Sequence, residues 1–173
     1  YSFFFAQSSG NGDTEFNLRG DGTPLSDLAA TTPADVAEWT RVVGDPLSYE
    51  PGDLVMISRE HPRHVEKAVA GTSTEPLLMG AVTLMPGLVG VSFDLTDDVT
   101  EGVGSKTDEE LEQEWNAKKI ANIGYVPLKV TGEGGPIQPG DPITVSSIPG
   151  VGKKAKPGQK IVGYSFDFFD PPN

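Results

Sequence analysis

Glu50-Pro51-Gly52-Asp53-Leu54-Val55-Met56-Ile57 reads as a tight turn running straight into an apolar strand. Pro presets φ, Gly permits positive φ, and the Asp side chain bonds back to the backbone, so the chain reverses in four residues. The order returns at Gln138-Pro139-Gly140-Asp141-Pro142-Ile143. After each turn come an apolar strand, a Lys-Ala pair (Lys67-Ala68, Lys154-Ala155) and a Gly beside Val (Gly80-Ala81-Val82, Val162-Gly163-Tyr164). Two such halves imply a pseudo-symmetric small barrel or sandwich. The other reading is that tight turns in β proteins all look alike.

Outward from these turns, short strands dominate. Val65-Glu66-Lys67-Ala68-Val69 alternates, and Leu77-Leu78-Met79-Gly80-Ala81-Val82 and Leu88-Val89-Gly90-Val91-Ser92-Phe93 are apolar. Tyr125-Val126-Pro127-Leu128-Lys129-Val130, Ile143-Thr144-Val145 and the run 161–169 follow the same style, with a basic turn around 153–156. One segment, 107–120, predicts a helix. Thr107 and Glu110 make a capping box, Asp108 and Glu109 suit its positive end, Lys118 and Lys119 its negative end, and Leu111 and Trp115 share a face. Asn122 and Gly124 read as its stops. Residues 94–124 therefore read as a surface insertion carrying one helix. Thr32-Pro33-Ala34-Asp35-Val36-Ala37-Glu38-Trp39 carries a helix-start signature, and pattern alone leaves open one helical turn or the start of a strand.

Residues 1–30 differ from the rest. An aromatic run holding Phe3, Phe4 and Phe5, a Gly-rich turn, and alternating Glu15-Phe16-Asn17-Leu18-Arg19 make a strand-turn-strand unit with little core of its own. A lone hairpin is marginal in water. The segment should therefore need partners, either other chains or a missing upstream region. The expected division is this hairpin segment at 1–30 and a β domain at 31–173. The chain opens on Tyr1 with no initiating Met and reads as a processed product, a fragment or the ordered part of something longer.

Composition narrows the function. The 173 residues suit one domain with a short appendage, and Gly (21) with Pro (15) makes about a fifth of the chain, against a helical bundle. A net charge of −12 provides no basic surface to displace counterions from nucleic acid or to meet an anionic membrane. With no Cys, thiol chemistry and disulfides are excluded. The longest apolar runs fall far short of a membrane-spanning helix.

Chemistry-bearing motifs are sparse, and no cofactor or metal is expected. His61 and His64 flank Pro62 without an acid or third histidine to complete a ligand set, and read as a solvent-exposed loop. Asn11, Asp13 and Asp21 sit in Gly-rich turns without the spacing of a calcium loop. Arg19-Gly20-Asp21 matches the integrin tripeptide, at a length that chance supplies. Lys153, Lys154 and Lys156 form a basic cluster suited to an acidic neighbour in an oligomer or to a solvated turn. Tyr164-Ser165-Phe166-Asp167-Phe168-Phe169 alternates as an edge strand, closed by Pro171 and Pro172.

In sequence order, three pieces resemble the C-terminal domains of phage tail fibres and neck appendages of the intramolecular-chaperone, autoproteolytic kind. Phe16-Asn17-Leu18-Arg19-Gly20-Asp21-Gly22 looks like a last shaft repeat. Ala34-Asp35-Val36-Ala37-Glu38-Trp39 looks like the motif that opens the terminal domain. Val126-Pro127-Leu128-Lys129-Val130, through Ile137-Gln138-Pro139-Gly140-Asp141 to Ile161-Val162-Gly163, looks like its closing strands. The resemblance implies a homotrimeric structural virion protein at a fibre tip, with other virion proteins and a host-surface receptor as partners; residues 1–30 would be its trimeric β-shaft and 31–173 its terminal domain, and three copies around an axis would bury Phe3, Phe4, Phe5, Phe16 and Leu18 as the oligomer interface. If the family's self-cleavage operates, Asp35 and Glu38 would be its catalytic pair, one attacking or activating a peptide bond and the other serving as acid or base in a single turnover. The plainer role for both is capping and surface charge. An extracellular cell-surface filament or adhesin module is the alternative from another class.

Overall fold

The computed structural model describes residues 35–71, 77–92 and 106–171, and the backbone alone of 2–7, 14–19 and 24–26. The chain divides into two compact units, Tyr1–Ala34 and Asp35–Asn173. In the first, β1 (Ser2–Gln7), β2 (Thr14–Arg19) and β3 (Pro24–Ser26) pair antiparallel in that order, with Phe4 opposite Leu18 and Ala6 opposite Phe16. The side chains of Phe3, Phe4, Phe5, Phe16 and Leu18 lie outside the described residues.

The second unit is the expected small barrel with a further sheet and one helix. Its barrel strands are β4 (Val36–Val42), β5 (Leu54–Ile57), β6 (His64–Lys67), β7 (Leu78–Val82) and β9 (Ala117–Ile123). They run β6-β5-β7-β9-β4, and β4 closes the ring by pairing parallel with β6, Val42 facing Val65. β8 (Leu88–Val91) lies along the same edge of β4 nearer its start, from Val36 opposite Leu88 to Trp39 opposite Val91. Val42, Val55, Val65, Val82 and Ile120 meet in one buried cluster, one residue from each barrel strand, with Tyr49 against them. That cluster is the barrel interior. Each such side chain stabilises by about 1.5–3 kcal/mol on leaving water.

The stretch opening at Thr32 resolves as a strand from Val36 onward; residues 32–34 lie outside the description. The helix, α1 (Asp108–Trp115), starts as expected. Thr107 Oγ1 accepts from the Glu110 N–H, and the Glu110 carboxylate accepts from the Thr107 N–H at 2.7 Å. It ends far sooner than 120. Asn116 turns left-handed (φ 49°), its side chain donates to Val42 O at 2.7 Å, and residues 117–123 become a central barrel strand between β4 and β7. The second half of 94–124 is therefore core, not surface insertion. Lys118 and Lys119 bury their stems in β9 and reach back to Glu112 and Asp108, each pair at 2.6 Å. Those lysines complement the helix's acids from a neighbouring strand, a relation that pattern alone had placed within one helix. Leu111 and Trp115 do share a face, packed on Trp39 and Ala117, and the two indoles meet edge-to-face at 5.4 Å.

The second sheet is β11 (Gly152–Lys154), β10 (Pro142–Val145) and β12 (Gly163–Tyr164), with β10 central. It repeats the β6-β5-β7 arrangement almost bond for bond. Val55 faces Lys67 on one side and Gly80 on the other; Ile143 faces Lys154 and Gly163. The Ala68 N–H donates to Leu54 O at 2.9 Å, and the Ala155 N–H to Pro142 O at 2.8 Å. Gly52 N–H to Val82 O is matched by Gly140 N–H to Ser165 O, and both glycines have φ near +88°. The echo seen in the sequence is thus a structural repeat. Only the first copy is closed into a barrel, by β4 and β9. The expected strand at 125–130 is instead an extended connector. Its Lys129 N–H donates to Gly52 O, and its Lys129 O accepts from the Gly152 N–H, tying the two copies together.

Candidate functional site

Between β7, β9 and the segment after β12 lies a groove of about 490 Å3. Met79, Gly80 and Ala121 contribute to its barrel side, and Val126, Leu128 and Ile143 to its side on the second copy. Its rim is aromatic: Tyr125 is 51 % exposed, Tyr164 64 %, Phe166 77 % and Phe168 71 %. The Tyr125 and Phe166 rings meet edge-to-face at 5.5 Å. Local bonding holds the rings outward. Ser165 N–H donates to Asp141 O, and Phe169 exchanges both backbone bonds with Ile137, so the chain is anchored on either side of 166–168. Between the anchors Ser165 Oγ accepts from the Asp167 N–H, and the Asp167 carboxylate accepts from the Phe168 N–H. The turn's polar groups are thereby satisfied internally while two phenylalanines face water.

The repeated turns carry the strongest electrostatics. The Asp53 side chain is 1 % exposed, yet accepts from the Glu50 N–H at 3.0 Å, Lys67 Nζ at 2.8 Å and Lys129 Nζ at 2.7 Å. Burial by itself raises a carboxyl's pKa, but these donors outweigh it and hold Asp53 below its usual range. In the second copy, Asp141 accepts from the Gln138 N–H at 2.8 Å and Lys154 Nζ at 2.6 Å, and is lowered by them in that reverse order of strength. Lys153 pairs with Glu133. Lys153 and Lys154 are thus strand residues with partners in their own chain, not a free basic turn.

Asp35 is 1 % exposed, and neither carboxylate oxygen has a hydrogen-bond partner among the described residues. Its carbonyl accepts from the Gly87 and Leu88 N–H groups. Glu38 lies half-buried on β4, three positions on, beside Gly90. Asp35 lies one residue before β4, and the β4–β9 pairing shifts register between Val36 and Ala37. The His61 and His64 rings sit 6.1 Å apart in the β5–β6 hairpin. No group of three or more His, Asp or Glu able to hold a metal occurs among the described residues. Asn11, Asp13 and Asp21 lie outside them.

No family model and no curated protein matches the chain. Among solved structures, that of the pre-mature bacteriophage phi29 gene product 12 is similar, with a TM-score of 0.49 and 15 % identity. The similarity covers 88 % of this chain and 24 % of that one, so the chain spans about a quarter of that protein's length.

The run 164–169, expected as an alternating edge strand, is a strand only at Gly163–Tyr164; the chain then bends and returns at Phe169 to pair with Ile137. Tyr125 reaches the groove through the path from β9 into the connector, which spacing along the chain does not encode. Among the described residues, no helix is long and apolar enough to cross a membrane.

Proposed function

We propose that the chain is a structural virion protein, the tip or terminal trimerisation domain of a phage tail fibre or appendage, with other virion proteins and a host-surface receptor as partners. One observation carries the reading: an acidic chain exposes four aromatic rings around one groove. Aromatic, charge-poor surface of this kind has the composition of an interface core. The ordered motifs at 16–22, 34–39 and 126–163 supply the fibre assignment and the trimer. Light scattering on the intact chain tests it. A particle of three times 18.3 kDa is expected, and a stable monomer at micromolar concentration refutes it.

A second reading, single-turnover self-cleavage at Asp35, is favoured by that residue's burial without a partner among the described residues. A buried carboxylate lacking compensation is costly and is commonly kept for chemistry. Intact mass followed over days tests it. Cleavage near residue 35 that disappears in Asp35→Asn supports it, and an unchanged mass removes it.

A further inference from the structure

The aromatic groove has a counterpart on the same chain. The turn after β7, Leu84-Met85-Pro86-Gly87, and Leu88 beyond it project Leu84, Met85 and Leu88 largely into solvent. This knob and the groove lie toward opposite ends of β9. Thr83 N–H bonds to Lys119 O and Leu84 O accepts from Lys119 Nζ, whereas Ile123 and Tyr125 border the groove. Along β9 the groove lining begins at Ala121, two residues or roughly 7 Å beyond Lys119, and reaches Ile123 at roughly 13 Å. Residues 83–88 do not line their own chain's groove.

Both surfaces are nearly free of charge on a chain with 25 acidic and 13 basic residues. Asp167 alone is charged in the groove, and residues 83–88 contain no charged residue. Two copies of a −12 chain repel least where the facing surfaces carry no charge of their own. Four aromatic rings exposed by half to three-quarters leave on the order of 400–600 Å2 of apolar surface. That is more than half of the ~800 Å2 each partner contributes to a standard interface, and the knob adds to the opposing side.

We infer that the groove receives the 84–88 knob of a second copy of this chain, making a head-to-tail contact. Such a heterologous contact uses a different patch on each partner and closes into a ring when the rotation permits. This deepens the trimer reading by naming a contact surface within Asp35–Asn173, separate from the one expected at Phe3, Phe4, Phe5, Phe16 and Leu18.

The chain has no native Cys, so introduced thiols report without background. The double variant Leu84→Cys/Phe168→Cys, treated with a short bis-maleimide, is expected to give covalent multimers on a denaturing gel. Leu84→Cys and Phe168→Cys alone are expected to remain single chains, and an equimolar mixture of the two to give a covalent dimer. Both positions are exposed, so neither substitution removes core packing. Multimers absent from the double variant overturn the inference. Phe168→Cys chains dimerising with themselves as readily as with Leu84→Cys chains overturn it too, since that is a like-with-like contact. A trimeric mass without these cross-links leaves the fibre reading standing and removes this contact. The cross-links in a particle that is not a trimer do the reverse.

Discussion

Asp53→Asn and Asp141→Asn make the same change at equivalent positions of the two repeat copies, and their costs should differ. Asn preserves the volume and keeps an oxygen for the backbone N–H of residue 50 or 138. At Asp53 it removes the carboxylate that Lys67 and Lys129 share inside the turn, where the side chain is 1 % exposed, and leaves Lys129 paired with Glu50 alone. Charge-assisted hydrogen bonds contribute about 1.5–3 kcal/mol each. The lysine side chains are themselves 29 % and 35 % exposed and recover part of their hydration, which favours the lower end. Because Lys129 keeps Glu50, the loss lies between one such bond and two, about 1.5–3 kcal/mol, or a fall in Tm of about 3–12 °C for a protein of this size. Asp141 is 21 % exposed and holds a single lysine, so its loss should be smaller. Urea unfolding followed by the fluorescence of Trp39 and Trp115, which lie together on the outer face of the barrel, measures both variants on one signal. Equal shifts in midpoint, or a larger shift for Asp141→Asn, would refute the claim that burial and the second lysine set the difference.

The glycines facing Val55 and Ile143 give a second paired comparison. A Cβ at Gly80 would sit 2.1 Å from Ala121 O, while one at Gly163 meets nothing within 4 Å. Gly80→Ala should therefore destabilise by about 3 kcal/mol or more and Gly163→Ala by little, measured by thermal unfolding. Ile120→Ala empties the barrel centre and should cost about 2–5 kcal/mol in the same assay, whereas Ile123→Ala, at the exposed end of the same strand, should be close to neutral. Burial, reinforced by the nearby Glu66 carboxylate and only partly offset by hydrogen bonding, pushes the Tyr49 hydroxyl up to about 12. Its folded pKa exceeds the unfolded value near 10, so its contribution is complete below pH 10 and is lost as pH rises from 10 to 12. Ultraviolet titration should show one tyrosine ionising near pH 12 together with unfolding, and ionisation of all four near pH 10 would contradict this. Asp53 acts in the opposite direction: its lowered pKa stabilises above about pH 4 and that stabilisation fades as pH falls below it.

Local chemistry carried much of the fold. The Pro-Gly-Asp turns were readable because Pro, Gly and Asp do their work within four residues, and the Thr107–Glu110 capping box because it closes within one helical turn. The helix end was misread because Lys118 and Lys119 look like C-terminal charges in one dimension. Only their placement on β9, beside α1, shows them answering Glu112 and Asp108 from outside the helix. Asp35 and Glu38 stood out as neighbouring carboxylates, but that Asp35 is buried without a hydrogen-bond partner among the described residues is a property of packing that spacing does not encode.

By itself the sequence determined a β-rich chain of repeated turns, one capped helix, and an aromatic tail, since each depends on residues close together along the chain. Tertiary structure alone decided that one repeat copy closes into a barrel while the other stays open. That choice rests on β4 and β9 arriving from distant parts of the chain, and on Gly80 being bare enough to let Ala121 O pack against it. It also decided that Tyr125 joins Phe166 across a groove, because burial and ring contacts between residues 41 positions apart are properties of packing, which no local pattern encodes.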